Sequence, residues 1–121
     1  MNLEKLSYEW IKAVDAHEAS PGDDEGAIDY IMDLAYDENF DELWAFIKYT
    51  YKLEINDKVA GVLAAGPLED LLAKKGEFYI NEIETLSRQD PKFKDLLGGV
   101  WQNEMSESLW QRVCKTRGVP W

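Results

Sequence analysis

The sequence predicts an all-α protein, a compact single-domain bundle of about six to seven short antiparallel helices. Three observations carry that reading. Apolar residues recur at three- and four-residue spacing along most of the chain. Helix-stopping groups punctuate it at short intervals: Ser-Pro-Gly at 20–22, Gly-Pro at 66–67, Asp-Pro at 90–91 and Gly-Gly at 98–99. No run shows sustained period-2 alternation with β-branched enrichment, so a sheet is not expected.

Each element follows from local chemistry. Leu3, Leu6, Trp10 and Val14 define a first helix that Ser-Pro-Gly ends. Asp23 or Asp24 suits the cap of a second, with Ile28, Ile31, Met32 and Ala35 as its apolar stripe. Asp37 or Asn39 starts a third, in which Phe40, Leu43, Trp44, Ile47 and Tyr51 are in register. Phe46, Tyr49 and Leu53 widen that arc, so the most buried element is expected here. Asp57 reads as the cap of a short helix through Ala64 or Ala65. A second short helix follows Gly66, with Leu68, Leu71 and Leu72 facing inward until Gly76 closes it. Tyr79, Ile80, Ile83 and Leu86 share one side of the next segment. Asp90 caps a further helix with Pro91 at its first position, which Gly98 and Gly99 stop. Ser106 caps the last, whose inner face is Leu109, Trp110, Val113 and Cys114. The order of short helix, turn and Pro-led helix over 57–97 resembles an α-solenoid pair of HEAT type.

The pair Gly66-Pro67 is explained as a helix junction. Proline lacks an N–H that a first-turn residue leaves unpaired anyway, and Glu69 and Asp70 suit the positive end of a new helix dipole. A phosphate cradle is excluded there, because proline removes a donor and two carboxylates repel an anion. The pair Gly98-Gly99 allows two readings. In one, close backbone approach lets Gly98, Gly99, Trp101 and Gln102 line a ligand pocket. In the other, the glycines end a helix and Trp101 anchors the following loop in the core.

Charge sets the expected partners. The chain carries 13 basic and 24 acidic residues, a net of −11, and residues 1–50 hold 3 of the former and 13 of the latter. Such a field repels nucleic acid and anionic membrane and steers basic partners inward. Within it, Glu25, Asp29, Asp33 and Asp37 recur every four residues along one flank of the second helix, and Glu38, Asp41 and Glu42 extend the same field. Like charges at i,i+4 cost a helix ~0.2–0.5 kcal/mol each. Either Lys48, Lys52 or other cations of the chain neutralise this ladder, or it is a docking face for a basic surface with Tyr30 and Tyr36 as aromatic anchors.

Catalytic chemistry lacks its parts. His17 is the sole histidine and Cys114 the sole cysteine, with no zinc-ligand spacing, and Cys114 lies on an apolar stripe. Nucleophile-elbow, P-loop and dinucleotide patterns are absent, and the run from Asp23 lacks the ligand spacing of a calcium loop. No cofactor and no metal are expected. The single cysteine, an amino terminus without basic and apolar signal segments, and the lack of a ~20-residue apolar window point to the cytoplasm.

"LAAGPLEDLLAKKG" at 63–76 followed by "DPKFKDLLGGVWQ" at 90–102 resembles a small bacterial family of unknown function. The likeness spans roughly residues 43–113 and leaves an acidic part, 1–42, outside. It implies a helical bacterial domain and no established activity. The expected function is a non-enzymatic protein-binding inhibitor of the immunity or antitoxin type, occluding a basic toxin or enzyme. The alternatives are an acidic nucleic-acid mimic aimed at a DNA-binding complex and a small-ligand or accessory helical module.

Overall fold

Helix α3 (Phe40–Thr50) forms the centre of the molecule, because both of its apolar arcs find partners. Leu43, Phe46, Ile47 and Thr50 have no solvent exposure at all. Trp10 of α1 (Leu3–Ala16) meets Phe46 edge-on at 5.3 Å, and Trp44 meets Phe93 at 5.8 Å. Phe93 also stacks edge-on against Tyr51 at 5.2 Å. The computed structural model describes residues 2–16 and 26–121, the side chain of Ala16 excepted. The expectations for Ser-Pro-Gly, for an Asp23 or Asp24 cap, for His17 and for Glu25 fall outside the described residues.

The remaining elements are α2 (Gly26–Tyr36), α4 (Asp57–Leu63), a π-helical segment (Ala64–Leu68), α5 (Glu69–Gln89), α6 (Pro91–Leu97) and α7 (Glu107–Thr116). Among the described residues there is no strand. The molecule is an all-α bundle, as its periodicity predicts. Helices α1, α2 and α3 pack on one another, and α5 bridges α3 to α6 and α7. One buried polar contact ties the first of these layers together, Ser7 Oγ to Thr50 Oγ1 at 2.9 Å.

The caps largely follow the sequence chemistry. Asp90 accepts from the Lys92 N–H at 3.0 Å with Pro91 at the first position, and Ser106 accepts from the Leu109 N–H at 3.2 Å. For α4 the cap is Asn56, not Asp57; its side chain accepts from the Val59 N–H at 2.8 Å. Asp90 does a second task, accepting the Tyr51 hydroxyl at 2.6 Å. That hydrogen bond is the main reason its carboxyl sits below the usual carboxylate range, and burial with the same contact pushes the Tyr51 phenol well up.

One expectation is corrected and another takes the form of a kink. Gly66 and Pro67 do not separate two helices: residues 57–89 form one run, and the chain widens into the π segment to pass the proline. Proline has no N–H for residue 63 and its ring crowds that carbonyl, so the register slips and the Glu69 N–H reaches back five residues to Ala64. At Gly76 the expected boundary is present as a kink between two helical stretches of α5. Lys75 leaves helical geometry (φ −142°, ψ 24°), and the run continues past a kink. Gly76 sits at that kink because a Cβ there would collide with Leu109 of α7. Over 57–97 the chain therefore runs on through Gly66-Pro67, kinks at Lys75 beside Gly76, and after a second helical stretch enters α6.

Candidate functional site: an acidic face on α2 and α3

Helix α2 buries Ala27, Ile31, Leu34 and Ala35. The 3.6-residue period then turns Asp29, Asp33 and, just past the helix, Asp37 outward together. Ile28 is half-buried as the stripe implies, but Met32 is not a core residue. It is 61% exposed, and Leu34 takes the inner place. Tyr30 and Tyr36 are exposed as well, at 43% and 82%. The outer side of α2 thus alternates carboxylates with large apolar side chains.

The chain leaves α2 through a paired turn. The Glu38 N–H donates to the Ala35 carbonyl at 3.3 Å and the Asn39 N–H to the Leu34 carbonyl at 2.7 Å. This places Glu38 at φ 62°, the left-handed region that glycine normally fills. Phe40 turns into the core and Asp41 and Glu42 follow on the exposed first turn of α3, where the helix dipole favours them. Asp33 and Asp37 have the opposite situation, near a helix end whose last turn holds no basic residue.

None of Asp29, Asp33, Asp37, Glu38, Asp41 and Glu42 forms a salt bridge among the described residues. The cations that could have covered them are turned elsewhere. Lys48 lies 5.2 Å over the Trp44 ring and Lys52 lies 6.0 Å from the Tyr51 ring centre. Among the described residues Asp41 alone of these has a fixed partner, the hydroxyl of buried Tyr79 on α5. Burial and then that hydrogen bond push the Tyr79 phenol well up. This second role was legible in principle, since a tyrosine on an apolar stripe needs an acceptor for its hydroxyl.

The four residues of the glycine segment meet different surroundings. Gly98 and Gly99 are buried beneath the segment 118–121, which is held by Gly118 N–H to Lys94 O at 3.1 Å and Trp121 N–H to Gly98 O at 3.0 Å. A Cβ on Gly99 would lie 2.5 Å from the Trp121 ring and 2.9 Å from the Ala64 Cβ. The space beside the glycines is filled by the chain itself. Trp101 does not anchor in the core; it is 68% exposed. Gln102 serves its own turn, with Nε2 3.4 Å from the Met105 carbonyl and 3.3 Å from Glu107.

Glu69 was missed as a binding group for this loop. Its buried carboxylate accepts the Trp101 N–H at 2.9 Å and the Asn103 side-chain amide at 3.1 Å. Its register with Leu72 and Gly76, three and seven residues on, was the available signal that it faces inward. Next to it, burial raises the Asp70 carboxyl, Lys74 opposes that, and Glu69 and Glu104 add to it. Among the described residues no group of three or more His, Cys, Asp or Glu side chains is placed to hold a metal, and no helix is long and apolar enough to cross a membrane.

A family model, described as a family of unknown function (DUF6869), matches residues 15–119. The match is wider than the 43–113 of the sequence resemblance and takes in α2 with its carboxylates. No curated protein and no solved structure matches the chain.

Proposed function

We propose that this chain, which belongs to the family DUF6869, is a non-enzymatic protein-binding inhibitor of the immunity or antitoxin type, working in the cytoplasm. It blocks a basic toxin or enzyme by lying across that partner's cleft. The supporting observation is the run of exposed carboxylates Asp29, Asp33, Asp37, Glu38 and Glu42, none of them paired within the described residues while Lys48 and Lys52 sit over aromatic rings. A surface needing charge only for solubility gains nothing from setting like charges against each other. A partner with a positive cleft gains steered association from it. Tyr30, Met32 and Tyr36, exposed in the same face, supply the contact area that charge alone does not.

A second reading, an acidic mimic of nucleic acid, draws on one feature. Asp29, Asp33 and Asp37 are spaced four residues apart, or ~6 Å along a helix, a regular negative ladder with roughly twice the ~3.4 Å axial rise per phosphate of one strand.

The test uses the tagged chain as bait in a lysate of its native cell, with retained proteins identified by mass spectrometry. Expected is one basic protein, released at about 0.5 M salt, where screening shortens the field to a few ångströms, and lost with Asp33→Asn plus Asp37→Asn. Retention of the same protein by that variant removes the acidic face as the docking site. The two readings separate by competition. Duplex DNA displaces a mimic from several unrelated targets, whereas an immunity-type protein protects against one.

A further inference from the structure

Three of the ten lysines of this acidic chain gather at one place. Lys5 and Lys48, two of the three basic residues in the first fifty, border the same trough, joined there by Lys52. The trough runs between α1 and the end of α3. It consists of two adjoining hollows of about 590 and 490 Å³ that share Tyr49 and Leu53. Tyr8 and Ile11 of α1 line it from the other side, and Tyr8 is 66% exposed. Glu4 is the acid among its lining residues, and Lys5 is only 4.0 Å from Glu9 in an exposed pair. All three lysines are exposed.

We infer that this trough is a second docking site, one that receives an amphipathic helix with acidic flanks from a partner protein. The lining residues on α1 (Glu4, Lys5, Tyr8, Ile11) and on α3 (Ala45, Lys48, Tyr49) recur at three- and four-residue spacing. Two adjoining ridges of that kind accept a third helix between them. The stretch from Leu3 to Ile11 covers about two turns, or ~12 Å, enough for the i, i+3, i+4 and i+7 anchors of one helix face. A small ligand is a poorer fit, since such ligands lose 70–90% of their surface to a pocket, as a rule roughly, and this trough is open along its length. An anionic bilayer is a poorer fit too, because a broad negative plane meets the whole field of a chain at −11, whereas a single helix meets only the lysine-bordered strip. The site is independent of the acidic face, which lies at the start of α3 and along α2.

The probe is a fluorescent helical peptide of about fourteen residues, with leucines at i, i+3, i+4 and i+7 and glutamates on both flanks. It is titrated with the full chain and followed by anisotropy at about 0.15 M salt, where the Debye length of ~8 Å limits repulsion from distant acids. Expected is saturable binding, absent for a scrambled peptide of the same composition. Lys48→Glu plus Lys52→Glu weakens it about tenfold, and Tyr8→Ala weakens it several-fold. All three changes lie at exposed positions, so a cooperative melt is retained and shows that the fold survives, at a somewhat lower temperature where two lysines leave the Trp44 and Tyr51 rings and the net charge grows more negative. No saturable binding, equal binding of the scrambled peptide, or full affinity in the variants overturns the proposal. So does lysine-dependent binding to phosphatidylserine vesicles in place of the peptide, which assigns the trough to lipid.

Discussion

Glu38 and Glu69 show how differently one residue type is used in this chain. Glu38 occupies the left-handed position after α2 at φ 62°, where a side chain is strained and glycine is not. Glu38→Gly is expected to raise stability by about 0.5–1 kcal/mol, the relief of that strain less the extra backbone entropy that glycine loses. In a thermal melt the gain reads as about 2–4 °C; a fall would mean that the Glu38 side chain holds a contact that matters more than its backbone. Glu69 is the reverse case, a carboxylate taken out of water because a backbone N–H and an amide require it. Glu69→Ala leaves the Trp101 N–H without its acceptor, and a loss of about 2 kcal/mol in urea unfolding is expected. Glu69→Gln keeps one acceptor but points an amide at Asn103, so it falls between the two. A Glu69→Ala loss below roughly 0.5 kcal/mol would show that water replaces the carboxylate freely.

At the scale of elements, helix existence was legible and helix continuity was not. The stripes of α1, α3, α5 and α7 are written at helical spacing, and Asp90 and Ser106 sit where free N–H groups need acceptors. Gly66-Pro67 has the composition of a junction, yet Pro67 and Leu68 are buried in a continuous run. Only tertiary packing decides between a break and a π slip, since both satisfy the proline. The same holds for Met32: its place in the apolar stripe depended on how α2 is rotated, and turning Ala27 and Leu34 inward exposes it. For the candidate site, the positions of the acids follow from periodicity, but the turning of Lys48 and Lys52 onto aromatic rings does not. The glycines make the point testable. Beyond its chain neighbours Gly66 has nothing within 4 Å of where a Cβ would lie, but it is helical before Pro67, whose Cδ crowds a preceding Cβ, so the propensity gain of Gly66→Ala is offset and a change within about 0.5 kcal/mol of the parent is expected. Gly99→Ala drives a methyl against the Ala64 Cβ and the Trp121 ring and is expected to cost about 1–3 kcal/mol. Equal effects in chemical denaturation would mean that the segment 118–121 moves aside without cost.

For the whole molecule, stability and binding are expected to answer the same substitutions with opposite signs. The chain folds at a net charge of −11, and its outer α2 face adds like charges at four-residue spacing near a helix end that disfavours them. Asp33→Asn plus Asp37→Asn removes the like-charge pairs of 29 with 33 and of 33 with 37. It also relieves two unfavourable dipole contacts, so a stability gain of about 1 kcal/mol is expected. That gain is electrostatic, and so it is tied to ionic strength. Raising salt from 0.1 to 1 M shortens the Debye length from about 10 Å to about 3 Å. The parent chain should therefore melt higher in salt, and the interval between parent and variant should close. Packing differences would persist at 1 M, which makes the salt series the discriminating measurement. A variant less stable than its parent at 0.1 M would mean that cations of this chain hold Asp33 and Asp37 in solution. The face would then be internal architecture. With the expected sign, the carboxylates of this face lower the stability of the fold rather than support it.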